Sequence, residues 1–219
     1  MSDFVNTFLL VYAGLFPIVN PIGGAPIFLG LTRMIGAEER TVIARRVAIN
    51  GFLLLLGSLI VGSHVLEFFG ITLPIVRVAG GLVVTAFAWQ LLHSGYEADH
   101  PPTADSIRRP LSSSDAFYPL TMPLTVGPGS IAVAITLGSQ RPAGPIDATH
   151  ILLVAVAAML GLAAISASIY VCYRYAERIA GFLGDTGTNV LVRLSAFILL
   201  CIGISIVWSG VSQLIATTH

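Results

Sequence analysis

Two stretches of this chain combine side chains and backbone suited to gripping a small polar solute: Asn20-Pro21-Ile22-Gly23-Gly24 and Thr125-Val126-Gly127-Pro128-Gly129-Ser130. Asn20-Pro21 reads as a helix N-cap followed by proline at the first helical position, and Pro128 is equally suited to a helix start. The first turn of a helix carries unpaired N–H groups and partial positive charge, so it attracts an anionic group such as a carboxylate. The unwound carbonyls just before such a start attract cations. Together they can hold a zwitterion, carboxylate at the amides and ammonium at the carbonyls, without any charged side chain. Gly23, Gly24, Gly127 and Gly129 leave room only near the backbone, which points to a small ligand. Thr125 and Ser130 add hydroxyls, and with Asn20, Pro21 and the four glycines they form the expected substrate-binding set.

Other polar residues carry weaker signals. Arg77 and Arg193 are each expected about one turn inside a helix beginning near Thr72 or Thr188, where a cation opposes the helix dipole. A substrate carboxylate, the carbonyl end of a broken half-helix or lipid phosphate reached by snorkelling would compensate each one. Their roles divide between gating and structural or lipid anchoring. Asn50, Thr121, Thr125, Thr136, Ser166 and Ser168 are expected to bond within or between helices, as polar glue. The five histidines show no metal-ligand spacing, and Cys172 and Cys201 stand in separate apolar segments, so no metal or other cofactor is expected.

The same inventory narrows the function. No nucleophile, base and orienting group stand at readable spacing, so the chain does not read as an enzyme. The chain contains no lysine, hence no phosphate-binding P-loop and no direct ATP drive. Net charge is zero without runs of like charge, which excludes nucleic acid as a partner. Glu67, Asp115 and Asp147 flank apolar segments and none is central, so the buried carboxylate of a proton relay is missing and the coupling ion stays unassigned.

These stretches need apolar elements to hold them. Hydrophobic residues make up 55% of the chain and charged ones 10%, and mean hydropathy is +0.88, the balance of an integral membrane protein in a lipid bilayer. The uncharged stretches 4–32, 47–63, 78–92, 116–138, 151–173 and 194–215 predict six all-α transmembrane segments. The first, as one helix of about 1.5 Å per residue, would be about 43 Å long, more than the ~30 Å hydrocarbon core needs. A broken or re-entrant helix explains that excess in segment 1, and the second proline cluster predicts the same for segment 4. Before segment 1 there is Asp3 and no basic residue, so it is expected to stay in place instead of acting as a cleaved leader.

Repetition organises the segments. Pro17, Pro21 and Pro26 each lie 102 residues before Pro119, Pro123 and Pro128. Phe68-Phe69-Gly70 followed by Arg77 matches Phe182-Leu183-Gly184 followed by Arg193, with the offset drifting to 116. Such self-similarity predicts a duplicated unit. Three helices per copy turn the second copy over, giving two inverted-topology three-helix repeats, 1–94 and 116–219, joined by a cytoplasmic loop at 95–115. Inverted repeats with interrupted helices are a recurrent transporter architecture, with the site where the breaks meet. The arginines orient it: Arg33, Arg40, Arg45, Arg46, Arg108, Arg109, Arg174 and Arg178 fall in connections on one side, predicting both termini periplasmic. The expected rival is a channel lined by re-entrant half-helices. Oligomeric state is left open, a homo-oligomer included.

The quoted residues resemble the MarC family, also called the six-helix neutral amino acid transporter family. Asn20 through Phe28 is similar to its first signature, Pro119 through Ile131 to its second, and Arg77-Val78-Ala79-Gly80-Gly81 to its third. At Arg193-Leu194-Ser195-Ala196 the chain has alanine where the family pattern has glycine, still a small residue. The resemblance implies six spans, residence in the bacterial inner (plasma) membrane, and transport of small neutral amino acids of the glycine, alanine, serine and threonine class. Export is the direction favoured by analogy with exporters of similar size.

Overall fold

The computed structural model describes residues 2–94, 116–139 and 147–216. The expected connecting loop 95–115, with Arg108, Arg109, His100 and Asp115, lies outside the described residues, as do Arg141 and His219. Among the described residues all regular structure is helical. Helices α1 (Ser2–Val19) and α2 (Pro21–Leu31) are separated only by Asn20 and together form a 29-residue apolar span, Asp3–Leu31. Helices α3 (Ala37–Phe68), α4 (Leu73–Ser94), α6 (Ala148–Arg174) and α7 (Ala176–Ala216) supply four more candidate spans. Between α4 and α6 lie a π-type segment, Phe117–Thr125, and α5 (Pro128–Gly138), bent by 66° against each other. Counted as one span, that pair makes six.

The π-type segment follows from its prolines. Pro119 and Pro123 bring no N–H to the helical ladder, and the backbone is extended at Tyr118 and Met122, each just before a proline. The wide turns leave carbonyls that threonines take up. Thr121 donates to Ala116 O at 2.6 Å and Thr125 to Leu120 O at 2.7 Å, each five residues back.

Helix starts pair differently from the proline register. The structure begins α2 at Pro21 and α5 at Pro128, 107 positions apart, and each helix is 11 residues long. Pro26 therefore lies inside α2, while Pro123 lies in the π-type segment. The other sequence anchor corresponds to a backbone feature. Gly70 and Gly184 adopt φ of 67° and 63°, a region glycine enters without a Cβ penalty. Gly70 turns the chain between α3 and α4, and Gly184 kinks α7.

Packing uses one stripe per helix. On α6, Ala157, Gly161, Ile165, Ile169 and Tyr173 are buried at four-residue spacing while Leu152, Val156, Leu160 and Val171 point outward. This is the single apolar-in stripe of a helix set against neighbours on one side and lipid on the other. The most extensively packed helix pair is α4 with α7. A methyl group on Gly81 would come within 2.8 Å of Val207 N, and one on Gly210 within 2.7 Å of Pro74 O, so backbone lies on backbone.

Candidate functional site

Asn20 separates α1 from α2. It sits in the left-handed region, φ 47° and ψ 59°, which asparagine tolerates better than most residues. Its Oδ1 accepts from Gly23 N at 3.2 Å and its carbonyl accepts from Gly24 N at 2.9 Å. The first turn of α2 is thus closed by Asn20 itself. Gly23 and Gly24 are small because other elements approach them: a Cβ on Gly23 would lie 2.8 Å from Ser195 Oγ on α7, and one on Gly24 2.8 Å from the Tyr173 hydroxyl on α6.

The second break is built otherwise. Gly127 precedes α5 in an extended conformation and offers no side-chain cap. Ser130 Oγ donates backwards to Gly127 O at 2.8 Å, which Ile131 N also reaches at 3.1 Å. The amides of Gly129 and Ser130, among the first N–H groups of α5, have no partner within the helix. Both residues line a cavity of about 200 Å³, together with Pro123, Leu124, Thr125, Gly127 and Pro128. Ile18 of α1, Val83, Val84 and Phe87 of α4, and Leu199 of α7 complete its wall. No charged side chain among the described residues lines it.

The structure therefore gathers four of the eight expected binding residues, Thr125, Gly127, Gly129 and Ser130, at one cavity. Asn20, Pro21, Gly23 and Gly24 do not line it; the first span contributes Ile18 instead. Helix α5 packs on α4, and the start of α2 packs on α7. Gly129 is seated against Val84 and Gly80 of α4, Ala132 touches Gly80, and Gly23 meets Ser195 of α7. The motifs around Arg77 and Arg193 thus act through their small residues. Arg77 is half-buried and Arg193 exposed, neither lines the cavity, and neither bonds a described residue.

Two residues that sequence reasoning passed over join the parts. Tyr173, fully buried, stacks on Phe28 of α2 with centroids 4.4 Å apart and bonds Thr125 at 2.9 Å. It lies between the two breaks. At the end of an apolar run beside Arg174 it looks like an interfacial aromatic; the one available signal is that a phenol needs a partner once buried. Arg40, 8% exposed, pairs with Glu177 and donates to Thr32 O at 3.2 Å and Ile35 O at 3.0 Å, closing the end of α2. Among the expected helix-bonding residues, Thr121, Thr125 and Ser168 bond as expected. Thr136 and Ser166 leave their hydroxyls unpartnered, and Asn50 bonds no described residue.

Apolar spans, a bent helix pair and a small cavity walled by uncharged groups define a polytopic α-helical membrane protein. The chain belongs to the MarC family: the description "MarC family integral membrane protein" matches residues 5–215. It is 33% identical over 201 residues, 91% of this chain and 92% of the relative, to UPF0056 membrane protein YvbG of Bacillus subtilis. It is 30% identical over 223 residues, all of both chains, to UPF0056 inner membrane protein MarC of Salmonella typhimurium and of Escherichia coli O157:H7. No solved structure matches it with significance. With these relatives and its apolar helices, it is a multi-pass inner-membrane protein.

Proposed function

We propose that this protein is a secondary transporter of small neutral amino acids, with efflux as its direction, working by alternating access between two inverted three-helix repeats. One observation carries the proposal: the start of α5 at Gly129 and Ser130, without a side-chain cap, lines a small cavity that no charged side chain among the described residues borders. A solute with net charge would be left uncompensated there. A zwitterion of small side chain fits, its carboxylate on the α5 amides and its ammonium on the carbonyls of the unwound stretch before Pro128.

The repeat reading draws support from three correspondences. Helices α2 and α5 have equal length and start at proline, Gly70 and Gly184 share a positive φ, and α2 and α5 each pack on the third helix of the opposite half. In this reading segments 1 and 4 are the broken helices, and residues 1–94 and 116–219 are the two copies. The arginine-rich ends of α3, α6 and α7 then face the cytoplasm and both termini the periplasm.

Counterflow in proteoliposomes tests the proposal. Vesicles loaded with unlabelled alanine are expected to accumulate labelled glycine, alanine, serine and threonine saturably, and leucine much less. Absence of counterflow for all of them, from protein verified as folded, overturns it. Flux that never saturates replaces the carrier with a channel.

A further inference from the structure

A second cavity, a groove of about 480 Å³, runs between α3 and α6 away from both breaks. Its walls are apolar: Ala48, Ile49 and Phe52 from α3 and Ala163 from α6. Ser166 also lines it, with a hydroxyl that finds no hydrogen-bond partner. Arg45 and Tyr170 lie toward the end where α3 begins and α6 stops. From Arg45 to Phe52 the groove follows α3 for about 10 Å at 1.5 Å per residue, the depth of an upper acyl chain.

Positive charge collects at that end, and among the described residues Arg45 and Arg174 pair with no carboxylate. Arg45 is exposed and makes no hydrogen bond or ion pair with a described residue. Arg174 donates to the Tyr170 hydroxyl at 2.7 Å, and its guanidinium lies 5.7 Å from the Tyr170 ring centroid. Arg178 lies over Tyr175 at 5.2 Å. Glu177, the carboxylate between them in sequence, is engaged by Arg40. Basic groups at the mouth of an apolar groove between membrane helices match the two parts of an anionic phospholipid.

We propose that the groove between α3 and α6 seats an acyl chain of an anionic phospholipid whose phosphate is held by Arg45 and Arg174. Snorkelling side chains carry the charge to the headgroup level while their stems cover the chain. The assignment stands apart from the transport reading, since none of these residues borders the cavity at Gly129.

Native mass spectrometry of the full protein, offered equal amounts of chain-matched phosphatidylglycerol and phosphatidylcholine, tests it. Wild type is expected to retain one phosphatidylglycerol in preference, with apparent affinity falling about fivefold for each arginine replaced in Arg45→Gln and Arg174→Gln. Arg45→Lys keeps the charge and most of the preference. Ala163→Phe, on an outward-facing position, fills the groove without touching the arginines and is expected to lose the lipid too. Monodispersity and melting temperature verify that each variant is folded. Equal retention of both lipids by wild type overturns the proposal. So does undiminished phosphatidylglycerol retention by a folded Arg45→Gln variant or by a folded Ala163→Phe variant, the latter leaving only surface attraction.

Discussion

The Tyr173 hydroxyl on α6 meets the Thr125 hydroxyl at 2.9 Å, tying residues 48 positions apart at the exit of the π-type segment. Thr125 also bonds Leu120 O, so it anchors the bent segment both to itself and to α6. The pair fixes where the α5 start stands relative to Gly24 and Phe28 of α2, both of which touch the same tyrosine.

Tyr173→Phe keeps the stacked ring and removes that bond. A double-mutant cycle with Thr125→Val, read by unfolding in detergent, is expected to show a coupling of about 0.6 kcal/mol, the usual size of a side-chain bond between membrane helices. Additive losses would mean that the two hydroxyls act independently.

Gly129→Ala drives a methyl group into Val84, and overpacking of this kind costs about 1 to 3 kcal/mol. Adding Val84→Ala is expected to restore most of the lost melting temperature. A single variant as stable as wild type would show that α5 can move off α4.

Asn20 does two things that different substitutions separate. Asn20→Ala loses the cap and strains the left-handed backbone, together costing about 2 kcal/mol. Asn20→Gly relieves the strain and loses only the cap bond, so its melting temperature should fall well short of that drop. Equal losses would mean that the cap alone matters.

Glu177 is 61% exposed while Arg40 is buried among carbonyls. Arg40→Gln is expected to destabilise by about 2 to 3 kcal/mol, because the carbonyls of Thr32 and Ile35 lose a charged donor. Glu177→Gln should cost less than about 1 kcal/mol, as for an exposed partner. Thermal unfolding of the two variants checks the order.

If the α5 amides recognise a carboxylate, removing the solute's negative charge should remove recognition. Alanine is expected to compete for counterflow and alaninamide to compete at least about tenfold more weakly, given the usual strength of a hydrogen bond to a charged group. Equal competition would remove the carboxylate from the account.

Much of the architecture was legible because it rests on local chemistry. Proline just after a capping residue favours a helix start, and Pro21 and Pro128 both are helix starts. Runs of apolar residues between arginines gave the spans, since a bilayer demands them. The unequal chemistry of the breaks was not legible. That Asn20 satisfies its own helix, whereas Gly127 cannot, depends on backbone angles that two similar motifs do not reveal. Tyr173 and Arg40 were missed because their significance comes from partners far along the chain, Thr125 at 48 positions and Glu177 at 137. Ser166 and Thr136 show the converse, residues of the right type left without partners by the way their helices face.

An uncapped helix start in an apolar wall has to be hydrated whenever no solute is there, because bare amides in a dry setting are too costly. The cavity at Gly129, about 200 Å³, has room for several water molecules, each taking on the order of 30 Å³ as liquid. Asn20 lets its own break stay dry. Hydration is therefore expected at the start of α5 and not at Asn20, and any solute that enters the cavity must first displace it.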